Sequence, residues 1–146
     1  ERLHLFTQTT GKAPFDMIIV SKEKLFRVSI KSTWIEKQTE TNSYIIQLRR
    51  IRPNKTKNQI YNFDNTKSDI LAIYIKVLDK VCFIPTILIK TKGSLYLRET
   101  KSKFSTSNWV ISEWEDVNKS LKYLEETGRA IRLETESVLK TDERKP

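Results

Sequence analysis

The chain has 146 residues, which is enough for one domain with a single hydrophobic core. It carries 27 Lys and Arg against 18 Asp and Glu, and the net charge of +9 predicts an anionic partner, with nucleic acid favoured over a membrane surface. Cys82 is the only cysteine, which excludes an intrachain disulfide and a cysteine-based zinc cluster within one chain. His4 is the only histidine, and without partners it supports neither a catalytic triad nor a histidine-rich metal site.

The positive charge is concentrated in the first part of the chain. Residues 1–105 hold 20 Lys and Arg against 9 Asp and Glu, whereas residues 106–146 hold 7 against 9. No apolar run approaches the roughly 18 residues of a membrane span, and no signal-peptide pattern opens the chain. We therefore expect a soluble, cytoplasmic protein whose basic surface belongs to residues 1–105.

The first predicted elements are two strands at residues 15–20 and 24–31, joined by the short polar connection Ser21-Lys22-Glu23. As a hairpin, they would bring Asp16 at the start of one strand close to Lys31 at the end of the next. A carboxylate that can hold a hard cation, beside an amine that can reach a phosphate or an attacking water, is the minimum set for metal-assisted phosphodiester cleavage. The spacing alone also fits an ordinary surface ion pair.

The next predicted strand, at residues 43–51, leads into a basic segment that has five cations in nine residues. Strand alternation places Gln47 and Arg49 on one face, opposite a face with Tyr44, Ile46, Leu48 and Arg50, but it does not decide which face meets DNA. Arginine and glutamine suit base edges, whereas lysine suits phosphates. The alternative is a solvated basic loop. The DNA-binding candidates are Lys12, Gln47, Arg49, Arg50, Arg52, Lys55 and Lys57.

The remaining pattern predicts a loop, three strands and a helix. Residues 53–68 are polar and favour a loop, strands at 70–77 and 81–86 favour a second hairpin, and a strand follows at 94–97. From Ser112 the apolar period becomes helical, with Ser112 as N-cap and Gly128 as the stop. The apolar stripe of this helix favours docking on the sheet, with a dimerisation face as the alternative. The tail from about residue 135 is expected to be frayed.

Five blocks in this order resemble the PD-(D/E)XK nuclease superfamily, and within it the cyanobacterial, group I intron-encoded homing endonucleases built on the restriction-enzyme fold. The blocks are PFDMI (14–18), FRVSIKS (26–32), SDILAIY (68–74), DKVCFIP (79–85) and LYLR (95–98). The resemblance implies an α/β fold, a restriction-endonuclease-like core with a mixed central β-sheet flanked by helices. It also implies a single nuclease domain over residues 1–146, with its core at 14–98 and a C-terminal helical segment at 112–128.

The same resemblance implies the site residues and the cofactor. Asp16 corresponds to the metal-binding aspartate of the family, Lys31 to its catalytic lysine, and the main-chain carbonyl of Ile30 to a further metal ligand. The implied ion is Mg²⁺, which takes oxygen ligands, keeps several waters and neutralises charge on a phosphate. Lys31 would orient or deprotonate the attacking water.

Two departures from the family pattern affect this site. Ser29, the third catalytic position, stands where the superfamily usually has Glu or Asp and where the intron-encoded branch is expected to have Gln. Its hydroxyl is too short and too weak to replace a carboxylate directly, so it would act through water. Family members also carry a glutamate on a helix ahead of the first core strand, whereas here only Glu1 precedes Leu3, so we expect that helix to be truncated or missing from this sequence.

The sequence therefore predicts a site-specific, Mg²⁺-dependent endonuclease of the homing type that cleaves double-stranded DNA. One small chain on a long target favours a homodimer or homotetramer on a near-palindromic site. Two alternatives stay open: a non-cleaving DNA-binding protein on the nuclease fold, which the change at Ser29 favours, and a branched-DNA (Holliday junction) resolvase.

Overall fold

The structure is a computed structural model that describes residues 3–7, 15–33, 43–52, 56–57, 59–100, 109–128 and 131–132. The helical and strand elements are numbered in chain order. They are β1 (His4–Thr7), β2 (Met17–Ser21), β3 (Lys24–Thr33), β4 (Tyr44–Gln47), β5 (Arg50–Arg52), β6 (Gln59–Tyr61), β7 (Ile70–Ile75), β8 (Lys80–Pro85), β9 (Ser94–Arg98), β10 (Trp109–Val110), α1 (Val117–Glu126) and β11 (Ile131–Arg132). The expected frayed tail, Glu1, Lys12 and Lys55 lie outside the described residues.

The central sheet has the strand order β1-β2-β3-β7-β8, with β11 pairing to β3. Strands β3 and β7 run parallel, whereas the β1-β2, β2-β3 and β7-β8 pairs are antiparallel. The mixed central sheet with a helix against it is the α/β architecture that the sequence predicts. A second sheet has the order β10-β9-β4, and β5 and β6 form a separate two-stranded ribbon.

The hairpin that carries the candidate site forms as predicted, with a tighter turn than expected. Ser21 pairs with Lys24, so only Lys22 and Glu23 form the turn. Both residues have positive φ, 51° and 63°, as a two-residue turn that matches the twist of the strands requires. The second predicted hairpin, β7-β8, is also present, with Asp79 in the left-handed region before β8.

Two hydrophobic layers cover the two faces of the central sheet. On one face, Phe26 and Val28 of β3 pack with Leu121 and Leu124 of α1. On the other face, the alternate residues of β7 and β8 pack against the second sheet, in a core made of Leu71, Ile73, Ile75, Cys82, Ile84, Tyr44, Ile46, Leu48, Ile89, Leu95, Leu97 and Ile111. The sheet is therefore buried on both sides around β3 and β7.

The predicted helix docks on the sheet, but its start differs from the prediction. Asp116 is the N-cap, because its side chain accepts a hydrogen bond from the Asn118 N–H at 3.0 Å. Ser112 instead lies in a short 3₁₀ helix, Ile111–Glu113, so its assignment as N-cap is wrong. Gly128 follows the helix with φ 72°, which fits the predicted stop.

Three other boundaries differ from the sequence prediction. The strand expected at 43–51 is divided into β4 and β5, because the N–H groups of Leu48 and Arg49 both donate to the Gly93 carbonyl and end the β4-β9 ladder. The loop expected at 53–68 contains β6, which pairs with β5. Strand β1 was not predicted. Within the described residues, no helix is long and apolar enough to cross a membrane.

Strands β3 and β7 are joined at their start by an ion pair. The Arg27 guanidinium donates to both carboxylate oxygens of Asp69 at 3.1 and 3.2 Å, and the Arg27 backbone N–H donates to Oδ2 at 2.7 Å. The Asp69 side chain is 7% exposed and that of Arg27 is 28% exposed. The pair therefore fixes the register of the parallel strands just before the candidate catalytic positions.

We predict that Asp69→Asn lowers the free energy of unfolding by about 2 kcal/mol, because a half-buried guanidinium loses its charged partner. The matched control is Glu115→Gln, which removes the exposed Lys80–Glu115 ion pair at 3.2 Å and should change stability by less than about 1 kcal/mol. Urea unfolding of both variants measures the difference. Equal effects would show that the Arg27–Asp69 pair contributes no more than a surface pair.

Candidate functional site

Asp16 is attached to β3 by its backbone and by its side chain. Its N–H donates to the Val28 carbonyl at 2.8 Å, and its Oδ2 accepts the Ile30 N–H at 2.7 Å. The carboxylate is exposed, yet this charge-assisted bond holds it next to the backbone of β3. The structure thus brings Asp16 to the residue that precedes Lys31.

The Ile30 carbonyl lies on the same edge of β3 as Asp16. In an extended strand, the N–H and C=O groups of one residue point to the same edge. The Ile30 N–H points to Asp16, at the place where β2 has not yet begun, since β2 starts at Met17 opposite Val28. A carboxylate oxygen and a main-chain carbonyl oxygen, both of which could bind a metal ion, therefore lie at this end of the hairpin.

Lys31 and Ser29 share the opposite face of β3 from Phe26 and Val28. They pair with Ile73 and Leu71 of β7, which belong to the core beneath the second sheet. Both side chains are half-buried. The Lys31 stem therefore lies against an apolar layer, while its position in the strand keeps it beside the Asp16 end of the hairpin.

The pKa of Lys31 is lowered from its usual value. Burial is the main cause, and the positive charge of Arg50 adds to it, whereas the negative charge of Asp16 acts in the opposite direction. A lysine with a lowered pKa is better suited to accept a proton from water than an exposed one. Arg50, Lys31 and Asp16 thus form one electrostatic group.

Asp69 is a carboxylate close to Ser29 in the register of the β3-β7 ladder. It lies two residues before Leu71, the partner of Ser29, but both of its oxygens accept hydrogen bonds from Arg27. Within the described residues, no three His, Cys, Asp or Glu side chains come together as a metal-binding group. Among the described residues, Asp16 is the carboxylate that the structure places at this end of the hairpin.

The basic segment after β4 exposes its polar residues. Tyr44, Ile46 and Leu48 are buried, whereas Gln47 and Arg49 are exposed. Alternation predicts Arg50 on the same face as the three buried residues, but the strand is interrupted before Arg50, which is exposed. Lys57 is also exposed. Arg52 is the last residue of β5, and the structure describes its backbone only.

Two contacts hold the exposed side of this segment against the turn before β9. The Ser94 hydroxyl donates to Gln47 Oε1 at 3.4 Å. A Cβ atom at Gly93 would lie 3.1 Å from Arg49 Nη2, so glycine leaves room for the Arg49 guanidinium over the turn. Sequence analysis missed this turn, and the signal available for it was the isolated glycine between two strand patterns.

Comparison with known proteins identifies the family. A sequence model described as PD-(D/E)XK endonuclease matches residues 5–117, which include Asp16, Ser29 and Lys31. The chain belongs to the PD-(D/E)XK endonuclease family. This confirms the family predicted from the five sequence blocks, and the protein is a member of a nuclease family.

A solved structure supports the fold of this PD-(D/E)XK endonuclease. The bacterial homing endonuclease I-Ssp6803I is similar to it with a TM-score of 0.63 and 16% sequence identity, over 86% of this chain and 81% of that one. At this identity the likeness establishes the fold, and the predicted restriction-endonuclease-like core is confirmed. No curated protein matches the sequence.

We predict that two exposed residues move the pKa of Lys31 in opposite directions. Arg50→Gln should raise it, because a neighbouring positive charge is lost, and Asp16→Asn should lower it further, because a compensating negative charge is lost. Titration of ¹³C-labelled lysine side chains by NMR, in buffer with a chelator, measures both. Lys57→Gln is the control. If the pKa of Lys31 stays unchanged in Arg50→Gln and in Asp16→Asn, the proposed electrostatic group is contradicted.

Proposed function

We propose that this PD-(D/E)XK endonuclease is a Mg²⁺-dependent, site-specific enzyme of the homing type that cleaves double-stranded DNA, with its active site at the β2-β3 hairpin. The observation that carries the proposal is the hydrogen bond from the Ile30 N–H to Asp16 Oδ2 at 2.7 Å, beside the half-buried Lys31. The family match and the net charge of +9 support a nuclease that binds a polyanion.

The donors at the hairpin fit Mg²⁺. Asp16 and the Ile30 carbonyl would hold the ion, since Mg²⁺ prefers oxygen ligands and is commonly bound by one or two carboxylates together with substrate phosphates and water. When bound, the ion supplies positive charge beside the scissile phosphate and makes water more acidic. Because Asp16 is the one carboxylate proposed as a ligand, the affinity for Mg²⁺ should depend strongly on bound DNA.

Lys31 is the proposed catalytic residue, because its amine can orient or deprotonate the attacking water and offset negative charge on the phosphate. Arg50 adds a second cation next to Lys31 and would hold the DNA backbone at the site. Asp16 limits the repulsion between these cations before DNA arrives. Ser29 would act through a water molecule, because its hydroxyl is short.

A second candidate function is a DNA-binding protein that does not cleave. Ser29 favours it, because the position offers no carboxylate and the nearby Asp69 is engaged by Arg27. Both functions require DNA binding with a strong dependence on salt, so binding cannot separate them. Cleavage that depends on Mg²⁺ and on residue 29 can.

The proposed DNA-binding surface includes Gln47, Arg49, Arg50 and Lys57, which are exposed. Lys12, Arg52 and Lys55 remain candidates from the sequence. A DNA target that is long enough to occur rarely in a genome is longer than one small chain can contact. We therefore also propose a homodimer or homotetramer on a near-palindromic site.

We predict that Ser29→Gln and Ser29→Glu raise Mg²⁺-dependent cleavage of a randomised duplex pool by about tenfold or more over the unchanged chain, because each adds an oxygen that can reach the metal. Lys31→Met should reduce cleavage by about 10² to 10⁴. Gel or sequencing analysis of the cut pool measures these rates, with binding of each variant measured in parallel.

Two controls make this experiment decisive. Asp16→Asn in the Ser29→Gln background should abolish the gain, which links it to the proposed metal site. If the unchanged chain and both Ser29 variants bind the pool tightly and leave it intact, the endonuclease proposal is wrong and the non-cleaving DNA-binding function replaces it.

We predict a division of roles within the basic segment. Arg49→Gln should relax sequence preference at one or two base pairs, by about 1–3 kcal/mol of discrimination, because arginine contacts guanine edges. Lys57→Gln should weaken binding to all sequences alike and reduce the salt slope by about 0.9. Selection from the randomised pool, together with binding at several salt concentrations, measures both. Identical profiles for the two variants would contradict this division.

A further inference from the structure

A pocket of about 480 Å³ lies beside the turn that carries Gly93. Its walls are the segment after β6 and the segment before β9. The lining residues used in the argument are Asn62, Phe63, Asp64, Asn65, Lys90 and Lys92. None of them belongs to the proposed active site or to the DNA-binding residues predicted from the sequence.

The pocket is built by hydrogen bonds within the chain. The Phe63 N–H donates to the Lys92 carbonyl at 3.1 Å and ties the two walls together. The Thr86 hydroxyl contacts the carbonyls of Ser68 and Asn65 at 2.6 and 3.3 Å, which anchors the first wall to the core. Ile89, which is buried, forms part of the lining. The shape is therefore present before a ligand binds.

The polar groups at the pocket favour an anion. Lys90 and Lys92 are exposed ammonium groups, and the side-chain amides of Asn62 and Asn65 can donate hydrogen bonds. Asp64 opposes them: hydrogen bonds from the Thr66 N–H and hydroxyl lower its pKa and keep it charged. A small free anion would therefore be held weakly, whereas a polyanion fixed elsewhere on the protein could occupy the pocket.

The pocket lies next to the proposed DNA-binding surface. Lys92 precedes Gly93, the Arg49 guanidinium lies over Gly93, and Arg50 follows as the first residue of β5. DNA that is bound along Arg49 and Arg50 would therefore run beside the pocket.

From this arrangement, we infer that the pocket lined by Lys90 and Lys92 is a second phosphate-binding site, which holds the backbone of duplex DNA beside Arg49 and Arg50. The inference rests on the proposed function, because the proposed DNA-binding surface fixes the position of the DNA. The site extends the footprint of the protein and contributes to binding without contacting the reacting phosphate.

The test uses a duplex that is selected from a randomised pool by binding to the Asp16→Asn form. The double variant Lys90→Gln/Lys92→Gln should bind the full-length duplex about tenfold more weakly, with a salt slope smaller by about 1 to 2. Stepwise shortening of the duplex, from each end in turn, should remove this difference when the end that contacts the pocket is lost. Asp64→Asn should act in the opposite direction and strengthen binding, because it removes a negative charge while its side-chain oxygen can still accept the Thr66 bonds.

The matched control is Lys22→Gln/Lys122→Gln, which removes the same charge from the β2-β3 turn and from the exposed side of α1. A control that loses as much affinity as the pocket variant would overturn the inference, because total charge alone would then explain the loss. An unchanged salt slope in the pocket variant, or weaker binding by Asp64→Asn, would also overturn it. If the unchanged protein binds and cleaves DNA under these conditions, the proposed function survives that result; if it binds no duplex at all, both fail.

Discussion

The hydrogen bond from the Ile30 N–H to Asp16 positions the candidate site, because it attaches an exposed carboxylate to the backbone of β3. Strand β3 pairs with β2 in an antiparallel ladder as far as Val28 and with β7 in a parallel ladder as far as Thr33. Its two faces pack towards α1 on one side and towards the core beneath the second sheet on the other. Residues 29–31 are therefore held by β7 on one edge, and Asp16 lies at the other edge.

The charges around β3 have different structural consequences. Arg27 and Asp69 are paired, hydrogen-bonded and largely withdrawn from water, so they stabilise the register of the strands. Lys31 and Arg50 instead face one carboxylate, Asp16, and the pKa of Lys31 is lowered as a result of burial and of the neighbouring guanidinium. An anionic ligand would relieve the repulsion between the two cations, which is the electrostatic reason to expect a phosphate at this place.

The interruption between β4 and β5 lies within the basic segment, at the exposed residues Arg49 and Arg50. Leu48 and Arg49 both donate to the Gly93 carbonyl, and the chain then leaves the second sheet to form the β5-β6 ribbon. Arg50, the first residue after this break, is exposed, and its charge lowers the pKa of Lys31. The pocket at Lys90 and Lys92 lies beside the same turn.

The sequence by itself determined the parts of this protein that depend on local periodicity: the two hairpins, the buried strands β7 and β8, the amphipathic helix, and the spacing that brings Asp16 to β3 beside Lys31. Five short blocks in order were enough to predict the family and the fold. Only the tertiary structure decided the N-cap at Asp116, the break after Leu48, the Arg27–Asp69 pair and the pocket beside Gly93. The N-cap is one of several polar residues that could have taken the position, and the other features join residues that are far apart in the chain. The local sequence pattern carries no information about such contacts, because the folded core selects them.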